Sequence, residues 1–144
     1  VENKWLYKGK WIDEAPENAA AFVYEISNIK TGQRYIGKKY LKSKRRKKVA
    51  GRVNRKIVIK DSDWLTYYGS SKLLLEDIEK FGKHNFKREI LNFYKMKKDA
   101  TYRETELQFQ LDVLRTKLKN GKPAFYNANI AGKFFPPSQN GHID

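Results

Sequence analysis

The sequence predicts an α+β fold, a small central antiparallel β-sheet flanked by helices, and three observations carry that reading. Residues 22–37, FVYEISNIKTGQRYIG, read as a β-hairpin: Val23, Glu25 and Ser27 alternate with Tyr24 and Ile26, Thr31-Gly32 marks a turn, and Arg34 to Gly37 resumes extended character. Two later stretches carry apolar residues at helical spacing, Leu74, Ile78 and Phe81 in one and Leu107, Leu111, Leu114 and Leu118 in the other. Between them, Asn85 to Phe93 alternates as a strand that feeds Phe86 or Ile90 and Leu91 into the core. The order is strand, strand, basic insertion, helix, strand, helix, short returning segment, with no internal repeat.

Each element has a local reason. Residues 1–21 form an N-terminal arm whose Trp5 and Trp11 anchor on the core edge or extend the sheet; no chemistry is assigned to it. Tyr24 and Tyr35 come onto neighbouring strands because a glycine in the turn takes φ > 0; the bland account of the pair is a cross-strand aromatic contact. In the insertion, 38–61, β-branched Val53, Ile57, Val58 and Ile59 predict that 52–60 returns as an extended strand or ribbon. Ser62 or Asp63 is placed to cap a short helical turn, and Ser70 or Ser71 to cap the first helix, which Gly82 stops. Met96 to Asp99 reads as a polar connection, and a second helix is expected over 100–119, ended by Gly121 and Pro123. Phe125 to Ile130 reads as a segment returning to the sheet, and 132–144 as an irregular tail.

With 144 residues the chain is expected to form one domain around one core. It has no cysteine, which excludes disulfides and thiolate metal sites. No apolar run approaches the roughly 18 residues of a membrane span and no secretory pattern opens the chain, so an intracellular, soluble protein is expected. The net charge of +15 is local: twelve Lys or Arg and no acid lie between Lys38 and Lys60, leaving +3 for the rest. A solvated loop or a targeting signal, KSKRRKK, accounts for such a run without chemistry. A segment this basic also repels itself unless a polyanion screens it, and nucleic acid is the obvious partner.

Hydrolysis of a phosphodiester needs a water, a base for its proton, and positive charge on the phosphate oxygens, which a divalent metal held by carboxylate oxygen supplies in part. Glu104 lies at the edge of the leucine stripe and faces the sheet, whereas Glu106 points away from that stripe, toward the face of Tyr102, Phe109 and Val113. A carboxylate beside the core is costly unless it is bound to a cation or hydrogen-bonded, which selects Glu104, with Glu106 as the fallback. An ordinary salt bridge is the alternative use.

FVY and an intact YIG, with Tyr24 and Tyr35 eleven positions apart, followed by YGSS, FGKHNF, KREIL, a glutamate-bearing helix and FYN, resemble the GIY-YIG nuclease family from about Phe22 to Ile130. The long insertion after YIG and SDW…YYGSS look most like small phage-encoded, homing-type members. The resemblance implies the family's α+β nuclease fold, a DNA endonuclease dependent on Mg2+ or Mn2+, Tyr24 as general base, Tyr35 as its support, Glu104 as the metal ligand, and Asn127 as a structural hydrogen-bonding residue. The family's arginine, about ten residues after the second tyrosine and on a helix, falls on Arg45, inside the basic run; Lys38 or Arg55 are alternatives. The family's histidine has no counterpart in the matching region, where Tyr67 or Tyr68 stands; His84 and His142 read as bystanders.

Expected DNA contacts are Arg46, Lys48, Arg52, Arg55 and Lys56 on the insertion, with Ser70 and Lys72 at a helix start whose free amides suit a phosphate oxygen. The expected partner is double-stranded DNA, with no membrane and no small-molecule cofactor expected; oligomeric state stays open. The leading reading is a metal-dependent endonuclease, and its rivals are a non-catalytic nucleic-acid-binding protein with a nuclease-like fold and a small protein that contacts a ribosome or another acidic partner.

Overall fold

A computed structural model of the chain describes residues 4–48, 50–51, 56–138 and 141–143, without the side chains of 44–47 and 56–58. Seven strands and two helices follow in order: β1 (Trp5–Tyr7), β2 (Lys10–Ile12), β3 (Ala21–Asn28), β4 (Arg34–Tyr40), β5 (Lys42–Lys47), β6 (Lys56–Asp61), α1 (Lys72–Phe81), β7 (Phe86–Tyr94) and α2 (Lys97–Gln110). Five strands make one sheet in the order β2-β1-β7-β3-β4, while β5 and β6 pair only with each other.

The hairpin forms as its pattern dictates. β3 and β4 are antiparallel, with Tyr24 opposite Gly37 and Ile26 opposite Tyr35. Asn28 closes the turn, its Oδ1 accepting from the backbone N–H of Lys30 and of Thr31 while Gly32 sits at φ +84°. β7 covers the other edge of β3, antiparallel, with the register slipping between Val23 and Tyr24. The N-terminal arm extends the sheet, β1 running parallel to β7.

β3 is buried on both faces, which is why its sequence alternates so weakly. Phe22, Tyr24 and Ile26 face α1 and pack with Trp5, Leu74 and Ile78. Ala21 and Val23 face α2 and meet Ala100. Trp5, expected to anchor on the core edge or extend the sheet, lies in the sheet and is fully buried: its ring meets those of Phe22 and Tyr24 edge-on at 5.1 and 5.3 Å, and its Nε1 donates to the Trp64 carbonyl at 2.7 Å.

α1 starts at Ser71, whose Oγ accepts from Leu74 N, and stops at Gly82, φ +85°. α2 corrects the expected range. It begins at Lys97, so the residues read as a polar connection supply its first turn, with Asp99 at the favourable end of the helix dipole. It ends at Gln110, because Asp112 takes φ +49°, a conformation that a short polar side chain tolerates. Leu111, Leu114 and Leu118 nevertheless reach the core formed by Ile36, Val113 and Phe125. Apolar spacing records which side chains are buried, and here a folded-back chain buries the same ones a longer helix would.

One other expectation changes. Asp63 precedes a single 3-10 turn, Trp64–Thr66, without capping it through its side chain; its carboxylate pairs with Lys39 Nζ at 2.7 Å, and that hydrogen bond holds its pKa below the usual carboxylate range. On β7, Phe86 and Ile90 enter the core beneath α1 and Leu91 packs from the opposite face on the Ala21, Val23 and Ala100 cluster, as expected, while Arg88 is buried beside Phe86 and Ile90. Arg88 lies between the rings of Trp5 and Tyr68, 4.6 and 4.1 Å away, and donates to the carbonyls of Leu65 and Tyr67.

The basic insertion is a two-stranded antiparallel ribbon, β5 and β6, with Lys42 opposite Asp61 and Lys47 opposite Lys56. It joins the body at Leu41, whose N–H donates to Ala20 O and whose carbonyl accepts from Ser62 N, both at 2.9 Å. The expected return strand is present over 56–60, while 52–55 lie outside the described residues. Among the described residues, no helix is long and apolar enough to cross a membrane.

Candidate active site

The two signature tyrosines meet over a glycine. Their ring centroids are 6.1 Å apart at 39°, and they cross the backbone of Gly37, where an added Cβ would lie 2.5 Å from the Tyr24 hydroxyl oxygen and 2.9 Å from Tyr35 Cε2. Only a glycine admits both rings there. Gly69, at φ +88°, is a second close approach: an added Cβ there would lie 3.4 Å from the Tyr24 hydroxyl oxygen and from Tyr35 Cε2. The YIG and YGSS glycines thus shape one floor from two distant parts of the sequence.

Above that floor is a polar cleft of about 470 Å³, lined among others by Tyr24, Tyr35, Lys38, Ser70, Lys72, Glu104 and Asn127. Glu104 projects from α2 with its side chain 16% exposed, and its Oε1 lies 3.7 Å from Lys38 Nζ. Burial raises its pKa above the ordinary carboxylate value, against the pull of Lys38. Lys38 is fixed from behind by donating to Thr101 Oγ1 at 2.9 Å. The fallback, Glu106, is not part of the cleft lining; it pairs with Arg103 at 2.7 Å on the helix surface.

Tyr24 is 1% exposed. Burial pushes its phenol well above 10, and Tyr35, Tyr67 and Glu104 add to the rise. Tyr35 is raised as well, by burial first, with a hydrogen bond to Ser70 working in the opposite direction. Of the two tyrosines considered for the missing histidine, Tyr67 reaches the site, its ring edge-on to Tyr24 at 6.1 Å, with Lys39 Nζ 4.0 Å from its centroid. Tyr68 is buried against Arg88 instead.

Asn127 binds both backbone groups of Ile36, its Oδ1 accepting from the N–H at 3.1 Å and its Nδ2 donating to the carbonyl at 2.8 Å. The side chain thereby satisfies part of the open edge of β4, next to Tyr35 and Gly37. Ser70 and Lys72 line the cleft, and the helix cap falls to Ser71, whose Oγ also donates to Tyr126 O at 3.2 Å.

Arg45 sits in β5 opposite Val58, on a strand and not on the helix that the resemblance implies, and its side chain lies outside the description. The side chains of Arg46 and Lys56 lie outside it too, as do residues Arg52 and Arg55; Lys48 is exposed beyond the end of β5.

A polar residue of the cleft lining had no part in the sequence reading. Gln108, one turn after Glu104, is 4% exposed, and its Nε2 donates to the Ile36 carbonyl at 2.9 Å. Its Oε1 is buried without a hydrogen-bond partner. The signal that finds it is a glutamine set between Leu107 and Leu111 on a buried helix face, where an apolar residue is the default. Among the described residues no three His, Asp or Glu side chains converge, and Glu104 is the one carboxylate of the described cleft lining.

No curated protein and no solved structure matches the chain significantly. Residues 5–130 match the family described as "Putative endonuclease segE, GIY-YIG domain". That span holds the hairpin, both helices and every described residue of the cleft floor, and the chain belongs to the GIY-YIG nuclease domain family.

Proposed function

We propose that this chain is a DNA endonuclease that hydrolyses phosphodiester bonds in the cleft over Gly37. The observation that carries the reading is the convergence of Tyr24, Tyr35, Lys38 and Glu104, from β3, β4 and α2, on one polar cleft. Glu104 would hold a hydrated Mg2+ or Mn2+: a single carboxylate suits an ion that keeps most of its own waters, and the unpaired Gln108 oxygen adds a second hard acceptor to the same wall. Such an ion supplies positive charge for the non-bridging and leaving oxygens.

The chain's own groups do the rest. Lys38 adds fixed positive charge opposite Glu104 and takes the part of the cation that Arg45 fills by spacing. Tyr24 accepts the proton of the attacking water; its phenolate is a small minority at neutral pH, so the rate rises with pH. Tyr35, tied to Ser70, orients the phosphate, and Asn127 holds the β4 edge that carries both. Arg46, Lys48, Arg52, Arg55 and Lys56 of the ribbon, with Lys72 at the cleft mouth, bind the phosphates of double-stranded DNA.

The second reading, a nucleic-acid-binding protein without cleavage, is favoured by the Lys38–Glu104 ion pair, which partly neutralises the one carboxylate in the cleft. Supercoiled plasmid separates the two. Nicking with Mg2+ and none with EDTA is the expected result; plasmid that is bound yet intact under both conditions favours the second reading.

A further inference from the structure

We infer that Gln108 is a positioning residue for the cleft's divalent cation, its Oε1 accepting a hydrogen bond from a water of the hydrated ion that Glu104 holds. The inference rests on the nuclease reading above and deepens it. It starts from the amide's orientation. The Ile36 carbonyl accepts from Gln108 Nε2 at 2.9 Å and from Asn127 Nδ2 at 2.8 Å, so a flipped Gln108 would set its own oxygen against a carbonyl oxygen. Nε2 therefore faces β4, and Oε1, buried and without a partner, is the polar group Gln108 has left beside the cleft that the residue lines.

A buried amide oxygen without a partner has lost its hydration and gained nothing in return, and such groups in folded proteins mark function or an absent water or ion. The occupant must satisfy two acceptors. Glu104 and Gln108 stand one turn apart on one face of α2, at a spacing of about 5–6 Å between Cβ atoms. Both are oxygen acceptors, in a cleft whose lysines, Lys38 and Lys72, attract phosphate. A phosphate oxygen meets repulsion at both, whereas a hydrated cation serves carboxylate, amide and phosphate together. Residues that hold a metal's waters and ligands in place are typically worth about 10–100-fold in affinity.

The test is a 1H–15N titration of the full chain with MgCl2, without DNA, following the side-chain NH2 pair of Gln108 against that of Gln110, which is exposed and accepts from Arg103. The expected result is a saturable shift of Gln108 with the same midpoint as the backbone amides around Glu104, no shift of Gln110, and loss of the whole response in Glu104→Gln. In Gln108→Leu the midpoint read from the Glu104 region should weaken about tenfold. If those backbone amides shift while the Gln108 pair stays fixed, the ion is held without Gln108 and the inference falls while the nuclease reading stands. If nothing shifts in the parent protein, the inference falls too, and plasmid cleavage alone decides the nuclease reading. An unmoved midpoint in a folded Gln108→Leu also overturns it.

Discussion

The cleft and the ribbon carry charge in opposite ways. In the cleft, Glu104, Lys38 and the signature tyrosines are buried or half-buried, each held by a named partner, and burial raises the pKa of Glu104, Tyr24 and Tyr35. On the ribbon, β5 and β6 form a sheet of their own, with Lys48 exposed just beyond it. A few groups with fixed geometry can discriminate a transition state from a ground state, whereas a dense, solvated run of like charges attracts any polyanion. The difference predicts that rate belongs to one region and affinity to the other.

The largest effect should come from Glu104→Ala. Removing the one carboxylate of the described cleft lining should cost about 4 kcal/mol of barrier, or about a thousandfold in single-turnover cleavage, with DNA affinity unchanged or tighter. Glu106→Ala should cut like the parent; a dead Glu106→Ala beside an active Glu104→Ala would move the chemistry to the other face of α2. Tyr24→Phe keeps the ring and removes one hydroxyl, and should lose about a hundredfold. The parent rate should climb with pH about tenfold per unit through neutrality and toward pH 10, because Tyr24 titrates above that value; a plateau near pH 7 would remove Tyr24 as the base.

A smaller effect, on binding alone, is expected from changing Arg45, Arg46, Lys47 and Lys48 together to Gln. Four lost phosphate contacts should flatten the log-log salt dependence by up to about 3.6 units. An unchanged slope would take the ribbon away from DNA.

The smallest effect is on stability. Because Glu104 has a higher pKa folded than unfolded, the folded chain binds more protons between those two values, and stability falls as pH rises through that window. Glu104→Gln should therefore melt higher than the parent at pH 7 and converge with it below the ordinary carboxylate pKa. Equal melting temperatures at both pH values would mean that the carboxylate is not strained by burial.

How much of this was legible depended on how local the cause was. The tyrosine hairpin, β7 and α1 were readable because alternation, a turn glycine and a serine cap each act within a few residues. Glu104 could be chosen over Glu106 because helical phase alone separates them. The end of α2 was not readable: the leucine stripe continues past Gln110, and one left-handed residue, Asp112, redirects the chain without breaking the spacing. The full burial of Trp5 and of Arg88 was not readable for a different reason. Their partners, Trp64, Tyr67 and Tyr68, lie about sixty and twenty residues away and are brought together by the sheet order, in which β1 lies beside β7. Gln108 is the instructive case, since its place on the apolar face was in the sequence, but its unpaired oxygen exists only once Ile36 has taken its nitrogen.

The division between cleft and ribbon is tested most directly by single-turnover plasmid cleavage in Mg2+, at protein concentrations that saturate binding, with Glu104→Ala and the four-residue ribbon variant run side by side. Glu104→Ala should bind and leave the plasmid supercoiled, while the ribbon variant, once saturated, should nick it within a few-fold of the parent rate. A ribbon variant that saturates yet does not cut, beside a Glu104→Ala that does, would place the chemistry on the ribbon and contradict the account.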